Sequence, residues 1–535
     1  MLESLNTSAG GLKVSTNNDG RAHLQNRKTS ALASEGYLNR LPLEVLVSIF
    51  VLVPEPDERG VQHFPDDLPK VLKLRSVCKL WHYLCQTTPS LWISIIERNF
   101  VHRDWLKLAL DHTRNQTLDL RRLEETSTLA LASPEAWKRT FPLMNEGVLR
   151  KGRAREVTVA DLGMLPLGVA KCNWTSVIRS MLATELEVFG LTLFSPNDGG
   201  VNALFDDDAF SGEIPRKLKS FSIEGAGIDL GSQVLRWPCL KHLSLKWCYV
   251  EGTIWGLFKL IGQITCLSEL ELAADGHDER SFIGNDHHGS AIVPVSLLKL
   301  QKLSLTMPLS YIEAAYDIVN ISNQCRVLDT IFLPEGMSVS TVTAALDRMY
   351  AGRLLAGASS VSDGEGNERM SLSFDEHVAS CLSMQLSIES LTTQRRRFSL
   401  SLVPGRSEQE TSNLKAIFHH IARQWPPFQH AVVLSGESLP DGIWEDTLAL
   451  LPFVRAIEVS RSLSDLADAL LRVSAKDYPR HLEGIFVHGI ERTKSLFDQL
   501  LRGLDRTSVP RDLEGQYVIA CDWSVSLEDL YQGSP

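Results

Sequence analysis

The chain has 535 residues, 44% of them apolar. That is enough for about three to four domain-equivalents or one extended array, and it excludes a chain that is disordered throughout. With 65 acidic against 54 basic residues, the net charge of −11 argues against a general binder of phosphate backbones, which carries a basic excess. No apolar stretch approaches the roughly 18–20 residues that span a bilayer, and the N-terminus lacks the apolar core of a secretory signal. Nine widely spaced cysteines with no CxxC pair exclude a zinc ribbon and a disulfide framework. They predict buried, reduced thiols in a cytoplasmic or nuclear protein.

In chain order, residues 1–35 are rich in Ser, Thr, Asn and Gly and are expected to form a disordered tail, because they cannot bury enough surface to offset chain entropy. Apolar residues at Leu43, Leu46, Val47, Phe50 and Val51 have helical spacing. Pro42 suits the first turn of that helix, where its missing N–H costs nothing, and Pro54 ends it. A polar loop spans 54–69. A second helical stretch is expected over 70–87, with Leu74, Val77, Cys78, Trp81 and Leu84 on one stripe. Thr88-Pro89 breaks it, and Leu91-Trp92-Ile93 comes next.

These blocks resemble an F-box, in particular the fungal form. The matching residues are Leu41-Pro42-x-Glu44-Val45-Leu46-x-x-Ile49-Phe50, then Leu74-x-x-Val77-Cys78-Lys79-x-Trp81-x-x-Leu84, then Thr88-Pro89-x-Leu91-Trp92. The resemblance covers about a tenth of the chain, and the 54–69 loop is longer than in a compact F-box. An insertion between helices is tolerated, because loop-closure entropy grows slowly with length. A unit of this size hardly buries its own apolar surface, so a leftover face needs a partner. The resemblance implies docking on a Skp-type linker subunit. The residues it assigns to that interface are Leu41, Pro42, Leu46, Ile49, Phe50, Val77, Cys78, Trp81, Leu84, Leu91 and Trp92. Trp81 and Trp92 are the sharpest candidates, since large aromatics are frequent anchors.

Residues 103–123 read as a helix and then a strand near Thr117–Leu120, a junction between the F-box and the rest of the chain. Beyond it the sequence looks repetitive. Leu240-x-x-Leu243-x-Leu245 recurs as Leu267-x-x-Leu270-x-Leu272 and Leu300-x-x-Leu303-x-Leu305. Looser versions start at Leu186, Leu218, Leu328, Val454 and Leu482. Alternation within each frame sends two apolar side chains to one face of a short strand and leaves Ser244, Glu271 and Ser304 on the other. Five intervening segments, at 250–264, 309–324, 340–352, 412–425 and 463–475, are suited to helices. Strand and helix alternate, as in a leucine-rich-repeat-like stack. The C-terminal Tyr517–Ala520 segment suits a capping strand.

The expected fold class is therefore α/β: a small all-helical F-box unit followed by an irregular leucine-rich-repeat-like α/β solenoid. The expected divisions are a tail (1–35), the F-box (36–100), a junction (101–180) and the repeat-like domain (181–535), with loop insertions near 273–296 and 356–380.

No catalytic constellation emerges. His102-Arg103-Asp104 imitates a kinase loop, but Ala109 stands where the loop's Asn belongs. His287-His288 and His419-His420 are adjacent pairs whose members point apart, so each pair supplies one metal ligand at best. Asp206-Asp207-Asp208 and Asp363-x-Glu365 fit no calcium-loop pattern. Arg395-Arg396-Arg397 is a basic run suited to acidic or phosphate groups, though a solvated strand start is the commoner case. The resemblance implies a non-catalytic substrate receptor of an SCF-type cullin–RING ubiquitin ligase. It would have no cofactor or metal, a linker and through it a cullin as partners, an unknown target protein, and no membrane or nucleic acid. The alternative is a repeat scaffold that assembles proteins without ubiquitin transfer. An enzyme would need clustered titratable groups, which the sequence does not display.

Overall fold

The computed structural model describes residues 41–52, 70–98, 103–113, 116–120, 134–161, 174–193, 203–274, 282–283, 294–322, 324–334, 336–351, 368–377, 381–390, 395–404, 410–425, 433–437, 443–451, 454–460, 463–472, 482, 484–488, 502 and 519–521. The expected tail, the 54–69 loop, His287-His288, Asp363-x-Glu365 and most of both insertions lie outside these. The chain divides into two compact units, residues 1–116 and 117–535.

Among the described residues the regular elements of the first unit are helices. They are α1 (Leu43–Leu52), α2 (Lys70–Arg75), α3 (Lys79–Thr87), α4 (Ser90–Arg98) and α5 (Arg103–His112).

The second unit is built on a 15-stranded sheet. Its strands are β1 (Leu118–Leu120), β2 (Ala154–Asp161), β3 (Val188–Leu193), β4 (Ser220–Glu224), β5 (His242–Lys246), β6 (Glu269–Ala273), β7 (Lys302–Pro308), β8 (Arg326–Phe332), β9 (Glu368–His377), β10 (Cys381–Ser390), β11 (Arg395–Val403), β12 (Val433–Glu437), β13 (Ala456–Ser460), β14 (Gly484–His488) and β15 (Ile519–Cys521). They run β1 to β8 in sequence, then β11, β10 and β9, then β12 to β15. Only the β9–β10 and β10–β11 pairs are antiparallel. The sheet starts at β1 and β2, inside the segment expected to be a junction. The segments expected to be helical contain α8 (Ile254–Gly262), α9 (Leu309–Ile318), α10 (Val339–Leu346), α11 (Glu410–Gln424) and α13 (Leu463–Arg472). Further helices are α6 (Pro134–Met144), α7 (Trp174–Ser180) and α12 (Ile443–Leu450).

Strand register explains the core. One apolar row runs Val157, Phe189, Phe221, Leu243, Leu270, Leu303, Val327, Phe398, Ile388, Met370, Leu434, Ile457 and Ile485. Every member is buried. The first leucines at Leu186, Leu218, Leu240, Leu267 and Leu300 are buried too, just before their strands. The amides of Leu186, Leu218, Leu267 and Leu300 each reach the carbonyl three residues back, at 3.0–3.3 Å. Caps start two of the later helices: Thr253 Oγ1 accepts from Gly256 N–H before α8, and Ser338 Oγ accepts from Thr341 N–H before α10.

The frame read at Leu328, Ile331 and Leu333 is corrected. In β8 the buried positions are Val327, Asp329 and Ile331, with Cys325 in the preceding turn. The frame spacing is one residue shorter there, and a one-residue slip exchanges the two faces of a strand. Leu328 and Leu333 are only half-buried. Asp329 therefore occupies the second apolar row, between Leu305 and Leu400. Its carboxylate is satisfied there. It accepts from Tyr316 Oη at 2.6 Å, Tyr350 Oη at 2.5 Å and Leu305 N–H at 3.2 Å. Burial first, and then the negative charge of Asp329, raise the Tyr350 phenol well above its ordinary range.

Ser244 departs from the expected open face as well. It is buried, and its hydroxyl donates to Glu271 at 3.2 Å across the strands. The corner after β5 is strained. Trp247 has φ 49°, and the corresponding corner after β4 holds Gly225 at φ 76°. A Cβ on Gly225 would lie 2.1 Å from the Leu193 carbonyl oxygen, so that corner requires glycine.

Candidate partner-docking site

The helical unit carries every residue that the sequence assigned to docking. Pro42 opens α1: its carbonyl accepts from Val45 N–H (3.0 Å) and Leu46 N–H (3.1 Å). The stretch expected as one helix over 70–87 is two helices. Ser76 and Val77 form a turn, and Cys78 is extended (φ −157°) at the N-cap of α3. This break turns Val77 away from the stripe that a continuous helix would have made.

Burial separates the eleven candidates. Leu46, Phe50, Leu84, Leu91 and Trp92 are buried. Leu41, Cys78 and Trp81 are half-buried. Pro42, Ile49 and Val77 are exposed. Trp92, expected as a leading anchor, lies in the core of the unit. Its ring is fully buried, its indole N–H donates to the Cys85 carbonyl at 2.5 Å, and it stacks on His112 with centroids 4.2 Å apart. Leu46, Phe50, Leu84 and Leu91 lie in the same core. Trp81 packs its edge against Phe50 at 4.6 Å and keeps part of its surface in solvent. Cys85 lies in the same core, where burial pushes its thiol up to about 11 against a smaller opposing effect of Arg75.

Three exposed residues and one helix lie outside the docking candidates read from the sequence. Leu43 (45% exposed), Val45 (41%) and Tyr83 (57%) join Ile49 (40%) and Val77 (57%) as large apolar side chains in solvent. Of the nine such exposed residues among the described ones, five belong to this unit. The sequence signal was available for Tyr83, which stands off the Trp81–Leu84 stripe. The helix is α5. It lies beyond the expected F-box boundary, yet its His112 stacks on Trp92 and lies 3.2 Å from the Gln86 carbonyl through Nδ1.

Chemistry of other kinds is not assembled. Among the described residues, no group of three or more His, Cys, Asp or Glu side chains is placed to hold a metal ion. His419 and His420 point to different neighbours, Asp446 at 3.0 Å and Asp347 at 2.8 Å. Asp206 pairs with Arg179, and Asp207 accepts from Gln233 N–H. No described helix is long and apolar enough to cross a membrane.

The helical unit thus combines a buried tryptophan clasp with a set of exposed apolar side chains. The family model for F-box-like domains matches residues 38–98. The chain thus carries an F-box-like domain, which points in general to substrate recognition by SCF-type ubiquitin ligases. A search of curated proteins returned no match.

Proposed function

We propose that the chain is a substrate receptor of an SCF-type cullin–RING ubiquitin ligase. The helical unit docks on a Skp-type linker and, through it, joins a cullin. The sheet unit, read as an irregular leucine-rich-repeat-like solenoid, holds the target. The observation that carries this reading is the F-box-like match over a unit that leaves Leu43, Val45, Ile49, Val77 and Tyr83 in solvent. Burying such side chains against a partner gains about 1.5–3 kcal/mol each at most. The docking residues are narrowed to Pro42, Leu43, Val45, Ile49, Val77 and Tyr83, with Leu41, Cys78 and Trp81 at their margin. The mechanism is proximity: holding the target beside the ubiquitin-loaded enzyme makes transfer effectively local. This chain itself acts without a catalytic group, metal or cofactor, in the cytoplasm or nucleus.

The test is copurification from cells of the full chain with its linker and cullin. Retention of both supports the receptor reading. Retention of the linker without a cullin favours the repeat scaffold, and retention of neither overturns docking.

A further inference from the structure

Ion pairs neutralise much of the N-terminal edge of the sheet over its first strands. Arg155 pairs with Asp119, Lys217 with Glu185 at 2.7 Å and Lys219 with Glu187 at 2.6 Å, and His242 faces Glu269 at 3.3 Å. Lys241 has no side-chain partner there among the described residues. The pattern stops at β7. Lys299 in the preceding turn, Lys302 at the first position of β7 and Arg326 at the first position of β8 have no side-chain partner among the described residues. Lys302 and Arg326 are partners in register, so they sit one strand spacing apart, about 4.8 Å. The next strand across the sheet is β11, whose Phe398 pairs with Val327. The residues immediately before Phe398 are Arg395, Arg396 and Arg397. Two adjacent strands, β7 and β8, thus begin with cationic residues along one edge, and the backbone of the next, β11, starts in an arginine run of the sequence. Opposing charge is sparse among the described residues. Glu389 is the register partner of Arg396, and Glu269, the partner of Lys302, already faces His242.

We propose that this edge holds an extended Asp/Glu-rich segment of a partner protein. The assignment rests on the reading of the sheet unit as the part that holds the target, and it names that target's chemistry. Charge complementarity selects the occupant, because unpaired neighbouring cations repel one another until anions are placed between them. Three strand starts span about 10 Å, the reach of about three extended residues. Ser304, one row in from Lys302, offers a hydroxyl beside that path. A nucleic acid is disfavoured by the same map. A duplex backbone continuing along the edge would meet Glu185, Glu187 and Asp119. The net charge of −11 conceals this patch, since composition averages over a surface on which charge is unevenly placed.

The experiment uses the full chain and a fluorescein-labelled peptide of alternating Glu and Ser, read by anisotropy at low and moderate salt. The wild type is expected to bind it with an affinity that falls as salt screens the contact. Lys302→Glu/Arg326→Glu should weaken binding about tenfold or more. Lys217→Glu/Lys219→Glu makes the same change in net charge at the neutralised part of the edge and should leave binding within about twofold. Circular dichroism checks that both variants are folded. Equal binding by the wild type and the β7/β8 variant, or equal loss in the two variants, overturns the assignment. So does preferential binding of a single-stranded oligonucleotide over the peptide. Linker retention, scored on the same preparations, reports separately on the docking unit. Loss of linker binding with intact peptide binding would count against the receptor reading and leave the acidic-segment site standing.

Discussion

Along the first apolar row of the sheet unit, thirteen strands contribute a side chain each, and none is more than 9% exposed. In the helical unit, five large apolar side chains stand 40% or more exposed over fewer than fifty residues of chain, from Leu43 to Tyr83. The sheet can close its core because each added strand covers its neighbour and the helices cover one face. The helical unit has too little chain to do so. It spends Trp92, Phe50 and Leu46 on a small core and leaves other apolar side chains outside it. The difference teaches where function lies in each unit. Exposed apolar groups mark the unit proposed to dock, and charge without a partner among the described residues marks the edge proposed to hold the target.

The sharpest way to break the comparison is to empty the helical core. Trp92→Ala removes a fully buried ring, its hydrogen bond to Cys85 and its stack on His112. The expected loss is about 3–5 kcal/mol, enough to unfold a marginal unit. Hydrogen exchange over residues 79–112 should then rise towards the unfolded rate while β4–β8 keep their protection. Joint loss of protection would contradict the separateness of the two units.

The next effect concerns the one acid in the second apolar row. Asp329→Ala removes the shared acceptor of two buried hydroxyls and should cost about 2–4 kcal/mol in urea denaturation. Asp329→Leu combined with Tyr316→Phe and Tyr350→Phe restores an apolar row and should recover most of that loss, since removing all partners of a buried network is nearly neutral. A triple variant no more stable than Asp329→Ala would show that the carboxylate holds β7 and β8 together in some further way.

Smaller still is the response of the thiols. Burial pushes Cys248 up to about 12 and Cys85 up to about 11, whereas Cys239 and Cys266 are exposed. Thiolates are the reactive form. Alkylation near neutral pH, followed by peptide mass spectrometry, should label Cys239 and Cys266 first and Cys248 only after denaturant. Early labelling of Cys248 would contradict the closed core between β5 and its neighbours. The expectation of uniformly buried cysteines is thus corrected at Cys239 and Cys266, because spacing and count carry no information on which side of a turn a thiol falls.

Much of this was legible in the amino-acid sequence. The strict frames at Leu240, Leu267 and Leu300 announce β5, β6 and β7, because period-two alternation beside a fixed leucine has few other readings. Leu328 misled because Leu and Ile supply an apolar triplet one residue out of register, and a lone Asp does not look like a core position. The apolar residues of the helical unit are legible as a group but not sorted by burial, since a core leucine and a surface leucine on an amphipathic helix obey the same periodicity. The break at Cys78 and the reach of His112 to Trp92 depend on tertiary packing, which no window of local sequence contains.

The central claim is that the exposed aliphatics, not the buried aromatics, make the docking surface. It is tested most directly by titrating a purified Skp-type linker into the full chain, comparing wild type with Ile49→Asp/Val77→Asp. Both substitutions lie in solvent, so circular dichroism and melting should be nearly unchanged, while linker affinity should fall about a hundredfold or more. Unchanged affinity in a folded double variant would contradict the account and remove this face as the place where the linker docks.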